Sequence, residues 1–175
     1  MVLKKLTKFS SFHFFLLVKM FLSFDLGIKN TACVVYDPEN DAYSFNLFNP
    51  SVKGNGIVDR LKVLKEFVSN HTPVKKVVIE RQVKQNPQAT ALMNGLIGIC
   101  LNYTDDIKLI HPTVKFKRLG VEYDSKNKQH KKLAVKLTME LLVDREELDA
   151  FKMFKKKDDV ADAFLQLYTS DQPDE

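Results

Sequence analysis

The sequence predicts an α/β domain built on a mixed sheet with helices on both faces, and three observations predict it. Three strand-like segments follow one another between Met20 and Phe48. After them, apolar residues at helical spacing alternate with short β-branched runs, the order that builds parallel strand pairs joined by helices. One of those runs, Val77-Val78-Ile79, is apolar at consecutive positions, as a strand covered on both faces must be.

Element by element, Met20 to Leu26 reads as a first strand ending at Gly27, and Thr31 to Tyr36 as a second that stops at Asp37-Pro38. Ala42 to Phe48, with aromatics at Tyr43, Phe45 and Phe48, reads as a third. After the Gly54-Asn55-Gly56 turn, Ile57, Leu61, Leu64 and Val68 mark an amphipathic helix with lysines between its apolar positions. Lys75 to Glu80 is the buried strand. Pro87 suits the first turn of a helix that runs to about Asn102. Ile107 to Ile110 predicts a fifth strand, closed by His111-Pro112. Leu133, Leu137 and Leu141 predict a helix from roughly Lys128 to Leu142, and a last helix spans about Asp158 to Tyr168. The predicted order is β-β-β-α-β-α-β-α-α.

With 175 residues the chain fits one ordinary domain, which buries about 70% of its unfolded surface without staples. That domain is expected over residues 20–170, with residues 171–175 an acidic tail. Residues 1–19 form an extension holding Lys4, Lys5, Lys8 and Lys19 and no acid. Two readings of it stand side by side: a mitochondrial targeting segment, although it has no arginine, or sequence upstream of a start at Met20. Its apolar run, Phe12 to Val18, is shorter than the ~20 residues that span a bilayer, so no membrane partner is expected. Cys33 and Cys100 have neither metal-ligand spacing nor a disulfide pattern and read as buried and reduced, which suits an intracellular protein. The histidines have no partners at ligand spacing, and His130, among lysines, reads as solvated.

The formal charge is +5, and without the extension 23 basic residues face 22 acidic ones. The remaining positive charge is local. Lys115 to Lys136 contains eight Lys or Arg and two acids, Glu122 and Asp124, a patch suited to a polyanion if it folds onto one surface.

Asp25 near the end of the first strand and Glu80 at the end of the buried strand fall at the carboxyl edge, where ligands of such sheets gather. Each alone is more simply a strand-end acid capping a loop. The last helix adds Asp158, Asp159 and Asp162, with Val160, Phe164 and Leu167 facing the sheet. Asp159 and Asp162 are i, i+3 neighbours and Asp158 and Asp162 are i, i+4, so spacing does not choose between the pairs. Asp158 in the first turn is accounted for by the helix dipole. Four carboxylates gathered at one edge would suit hard divalent cations, which can clamp a phosphodiester for in-line hydrolysis without a Ser, Cys or His nucleophile.

Three motifs, Phe24-Asp25-Leu26-Gly27-Ile28-Lys29-Asn30, Ile79-Glu80-Arg81-Gln82 and Asp158-Asp159-Val160-Ala161-Asp162-Ala163-Phe164, resemble the acidic motifs of poxvirus Holliday junction resolvases. They are also similar to those of fungal mitochondrial resolvases and, more distantly, of bacterial RuvC-type enzymes. The resemblance covers Met20 to Tyr168. It implies an RNase H-like fold with a mixed five-stranded sheet, and a homodimer that resolves four-way and related branched DNA junctions by paired symmetrical nicks. It implies metal binding by Asp25, Glu80, Asp159 and Asp162, choosing Asp159 over Asp158, with Mg2+, for which Mn2+ substitutes, at two ions per active site. For a poxvirus the implied task is processing concatemeric replication intermediates in the host cytoplasm; a mitochondrial location is the alternative.

The resemblance also implies a functional lysine in the basic stretch, and Lys131 and Lys132 are the favoured candidates, then Lys128. The remaining Lys115, Lys117 and Arg118, with Arg81, read as contacts that track the DNA backbone. Bacterial relatives carry an aromatic shortly after the second acid that helps to open the junction, whereas here Val83 and Lys84 follow Gln82, so the resemblance does not extend to that residue. Two other classes share part of this pattern. An ATP-binding domain of the actin and sugar-kinase kind shares Asp25-Leu26-Gly27 but needs a second domain and a second Gly-rich loop. A catalytically silent DNA-binding module has no reason to keep like charges crowded together.

Overall fold

The computed structural model describes residues 19–27, 30–48, 56–82, 85–122 and 129–171. Its strands are β1 (Met20–Leu26), β2 (Thr31–Asp37), β3 (Ala42–Phe48), β4 (Val74–Glu80) and β5 (Ile107–Ile110). Its helices are α1 (Ile57–Asn70), α2 (Pro87–Cys100), α3 (Val114–Arg118), α4 (His130–Leu141), α5 (Glu147–Lys152) and α6 (Lys157–Thr169). The strands form one five-stranded sheet in the order β3-β2-β1-β4-β5. β1 pairs antiparallel with β2, and β2 with β3, whereas β1 with β4 and β4 with β5 run parallel.

The mixed sheet with helices on both faces is therefore as predicted. Two short helices, α3 and α5, were not, since five or six residues are too few to display a period. α4 begins at His130 rather than near Lys128. Residues 1–18, Val83, Lys84, Lys128 and residues 172–175 lie outside the described residues. Among those described, no helix is long and apolar enough to cross a membrane.

Strand periodicity sorts the core into two layers. Leu22, Phe24 and Leu26 of β1, with Val77 and Ile79 of β4, face one side and pack with Leu64, Phe67 and Val68 of α1 and Leu92, Leu96 and Cys100 of α2. α1 and α2 approach closely at Gly95, where a Cβ would lie 2.6 Å from Leu61 Cδ1. α2 starts cleanly because the Asn86 side chain accepts from the Ala89 N–H and Pro87 has no N–H to leave unbonded. Cys33 and Cys100 are both buried and free of disulfide bonding.

The opposite face receives Ala32, Val34 and Val78 and is covered by α3 to α6. α6 is the keystone of this layer, with Val160, Ala161, Ala163, Phe164, Leu165, Gln166, Leu167 and Thr169 all buried. Its Phe164 meets Tyr43 at 5.0 Å and Phe45 at 6.1 Å between ring centroids, both edge-on, the geometry that ring quadrupoles favour. Phe164→Ala should cost about 3–5 kcal/mol of stability, measured by urea unfolding.

Candidate active site

Residues 21, 23 and 25 of β1 alternate with those facing α1 and α2, so Asp25 points to the α6 side of the sheet. The same period puts Glu80 on that side of β4. Parallel pairing aligns Phe24 with Ile79, so the next residue on each strand, Asp25 and Glu80, ends its strand beside the other. α6 presents Asp159 and Asp162 to the same edge. The four carboxylates that the sequence singled out therefore converge, with Glu80, Asp159 and Asp162 each acting electrostatically on Asp25.

At the centre of the cluster stands Lys115. Its Nζ lies 3.2 Å from Glu80 Oε2 and 2.7 Å from Asp162 Oδ1, and its side chain is only 3% exposed. This corrects the expectation that Lys115 tracks DNA from the surface. α3 follows β5 directly and turns this lysine inward, where only the acids make its charge tolerable. Gln166, also buried, donates from Nε2 to the same Glu80 Oε2 at 2.9 Å. Asn30, just before β2, donates from Nδ2 to Asp159 Oδ2 at 3.3 Å. A Cβ on Gly27 would stand 2.4 Å from the Asn30 carbonyl oxygen, so only glycine admits this close approach beside Asp25.

Burial, then the charges of Glu80 and Asp162, raises Asp25 well above the ordinary carboxylate range. Glu80 is also raised, by burial first; Lys115 opposes that rise and Asp162 adds to it. For Lys115 burial alone would lower the value, but Asp162 and Glu80 outweigh it and hold the ammonium charged.

The basic residues separate by position. Lys131 on α4 reaches Asp158 Oδ2 at 2.5 Å and Asp159 Oδ1 at 3.4 Å, and Asp158, pulled down by this partner against its burial, belongs to that exposed pair. Lys132, one residue on, is exposed and has no described contact with the acids. Arg81 is exposed beyond β4, its N–H donating to the Ile110 carbonyl. Lys117 is exposed on α3, while Arg118 is half-buried with Nη1 donating to the Thr169 carbonyl at 2.9 Å. His130 is half-buried near the Phe116 ring, 6.2 Å between centroids, rather than solvated.

Sequence reasoning missed the roles of Lys115, Gln166 and Asn30. Gln166 left a signal: with Asp159 and Asp162 it continues a polar stripe at i, i+3 and i+7 on an otherwise apolar helix face. Lys115 left none, because nothing in a five-residue helix tells which lysine turns inward.

The donor set fits a hard divalent cation: the groups are carboxylate oxygens, raised first by burial and then by neighbouring carboxylates, Glu80 and Asp162 on Asp25 and Asp162 on Glu80, and a cation would relieve both. As placed, no three carboxylate, imidazole or thiol groups among the described residues are arranged to hold an ion, and the Lys115 ammonium stands between Glu80 and Asp162.

Against known proteins, the sequence matches the poxvirus A22 protein family over residues 19–168. The chain belongs to that family. No curated protein matches it. Among solved structures it is similar to the fowlpox virus Holliday junction resolvase, with a TM-score of 0.61 at 17% identity, covering 86% of this chain and 98% of that one. The fowlpox enzyme with its substrate Holliday junction DNA matches at a TM-score of 0.65 and 17% identity, over 86% and 97%. RuvC of Thermus thermophilus matches at 0.60 and 13% identity, over 86% and 92%. These likenesses establish that the A22-family chain has the RNase H-like fold of the resolvases.

A raised carboxyl holds a proton in the folded state that the unfolded chain has released, so its contribution to stability falls as pH rises from the ordinary carboxylate range through the raised value. Asp25→Asn removes that dependence. In chelator, the thermal midpoint of Asp25→Asn should exceed that of the native protein near neutral pH, and the gap should close as pH falls towards 4; scanning fluorimetry across pH checks it.

Proposed function

We propose that this A22-family protein is a divalent-metal-dependent endodeoxyribonuclease that resolves four-way DNA junctions and related branches by hydrolysing phosphodiesters. The observation that carries the reading is the convergence of Asp25, Glu80, Asp159 and Asp162 from two parallel strands and one helix, with a buried ammonium between Glu80 and Asp162. Such a cluster is costly in a fold that does not use it, since crowded carboxylates repel. The fowlpox virus resolvase and Thermus thermophilus RuvC, each solved in complex with a substrate Holliday junction, support the substrate class.

The residues that would hold the cations are Asp25, Glu80, Asp159 and Asp162, and Mg2+, with Mn2+ as substitute and two ions per site, would supply Lewis-acid polarisation of the phosphodiester and acidify the attacking water. The rest of the chemistry belongs to the chain. Lys115 compensates Glu80 and Asp162 and offers a fixed positive charge where a phosphodiester would gain negative charge, which assigns to it the role that the sequence had given to Lys131 and Lys132. Gln166 fixes Glu80, and Asn30 fixes Asp159. Lys131, 64% exposed, would meet a neighbouring phosphate and so leave Asp158 and Asp159. Arg81, Lys117, Arg118, Lys128 and Lys132 complete the proposed DNA-tracking set.

A homodimer with one such site per copy accounts for paired, symmetrical nicks, because a four-way junction presents two equivalent strands to a two-fold axis. For a poxvirus protein the task is processing concatemeric replication intermediates at cytoplasmic replication sites.

An end-labelled four-way junction, assayed beside linear duplex of the same sequence with and without magnesium, tests this. Junction-selective paired nicks that require metal are expected, and Asp159→Asn should reduce cutting by at least about a hundredfold while junction binding persists. Loss of binding together with cutting would mean a structural role for Asp159. Lys115→Ala should lower cutting by about a hundredfold or more, and Lys132→Ala by only a few-fold; the reverse ranking would return the catalytic lysine to α4.

A further inference from the structure

The turn between α5 and α6 carries the most exposed large apolar side chain of the described residues, Met153, 84% accessible. Lys152, Lys155 and Lys156 around it are exposed as well. A single exposed apolar residue is ordinary. This one is held out by its neighbours. Phe151 is fully buried, its ring 5.9 Å from that of Phe45, and Phe154 meets the same ring edge-on at 6.4 Å. The Phe154 carbonyl accepts from Lys157 Nζ at 2.9 Å. The two phenylalanines tie both ends of the turn to β3, so the side chains between them project from a fixed base.

The turn leads straight into the helix that carries the acids. Three peptide units separate Lys156 from Asp159, so their Cα atoms are at most about 11 Å apart, a span of a few nucleotides along a strand. A strand with a phosphate at the acid cluster therefore runs close to Lys155 and Lys156. Exposed lysines around an outward apolar knob are the composition with which proteins grip backbone phosphates and press a wedge, methionine included, against bases whose stacking is interrupted. Bases at a branch point have that interruption; those within a linear duplex do not.

On the proposed junction-cutting reading, we infer that residues 152–156 form a second DNA-contacting element beside the scissile position, in which Lys155 and Lys156 hold backbone phosphates and Met153 packs against bases exposed at the branch point. The element confers preference for branched over continuous duplex DNA, a role that no residue of the acid cluster can supply, since every phosphodiester looks alike to a carboxylate-held cation.

The test is equilibrium binding of the full chain, in calcium to permit binding without turnover, to a fluorescein-labelled four-way junction and to linear duplex, each across a salt series. Lys155→Ala with Lys156→Ala should weaken binding to both DNAs and reduce the slope of log affinity against log salt by about 1.8, from about 0.9 per phosphate contact. Met153→Ser should weaken junction binding about tenfold and leave duplex binding and the salt slope unchanged. With 2-aminopurine at the branch point, the fluorescence change that the native protein produces should be lost in Met153→Ser. Equal junction affinity, slope and fluorescence in variants and native protein would overturn the inference while leaving the nuclease reading intact. Equal losses on junction and duplex for Met153→Ser would overturn the wedge role. Failure of the native protein to prefer the junction would overturn this inference and the reading it rests on together.

Discussion

The parallel pairing of β1 with β4 is the constraint on which the rest of the molecule depends. β1 lies between an antiparallel neighbour, β2, and a parallel one, β4, and so marks where the sheet changes character. On the antiparallel side only four residues separate β1 from β2 in the chain. On the parallel side the chain must cross over through α1, and only that crossover brings the carboxyl end of β4 beside the carboxyl end of β1. Were the pairing antiparallel, Asp25 and Glu80 would stand at opposite edges. Register then matters as much as direction: a slip of one residue would turn Glu80 towards α1 and α2, into an apolar layer that offers it no partner.

α6 completes what the sheet begins. Its burial on nearly every side is an apolar requirement, met by Val160, Phe164 and Leu165 against the second layer of the core. Because the helix is fixed by that packing, its polar stripe is fixed too, and Asp159, Asp162 and Gln166 meet the strand ends without relying on the acids for attraction. Attraction is in fact absent among the acids. Their repulsion is countered by Lys115, whose ammonium bonds to one acid from the strand layer and one from the helix. Apolar packing thus holds together a charge arrangement that would otherwise separate, and a preorganised cluster of this kind can act on developing charge without rearranging.

The periphery divides along similar lines. Of the positive side chains near the site, Lys115 and Lys131 compensate carboxylates, whereas Lys132, Lys155 and Lys156 stand exposed where a polyanion can reach them. The fowlpox and Thermus structures share the sheet and its helices at 17% and 13% identity. That likeness at such low identity fits a fold specified by patterns of burial, which many sequences satisfy, rather than by particular residues.

By itself the sequence determined the fold class, the five strands and four of the six helices, because hydrophobic period and strand-end punctuation are local properties that a chain carries wherever it goes. It also singled out Asp25, Glu80, Asp159 and Asp162, although spacing alone left Asp158 and Asp159 equal and the motif resemblance separated them. Tertiary structure decided what each charge meets. Lys115 and Lys132 read alike in a basic stretch, yet α3 buries one between Glu80 and Asp162 while α4 leaves the other in water. Gln166, Asn30 and the α5–α6 turn likewise acquired their places only from neighbours distant in the chain. The physical reason is that electrostatic partnership depends on distance and burial across the fold, which no local pattern of residues encodes.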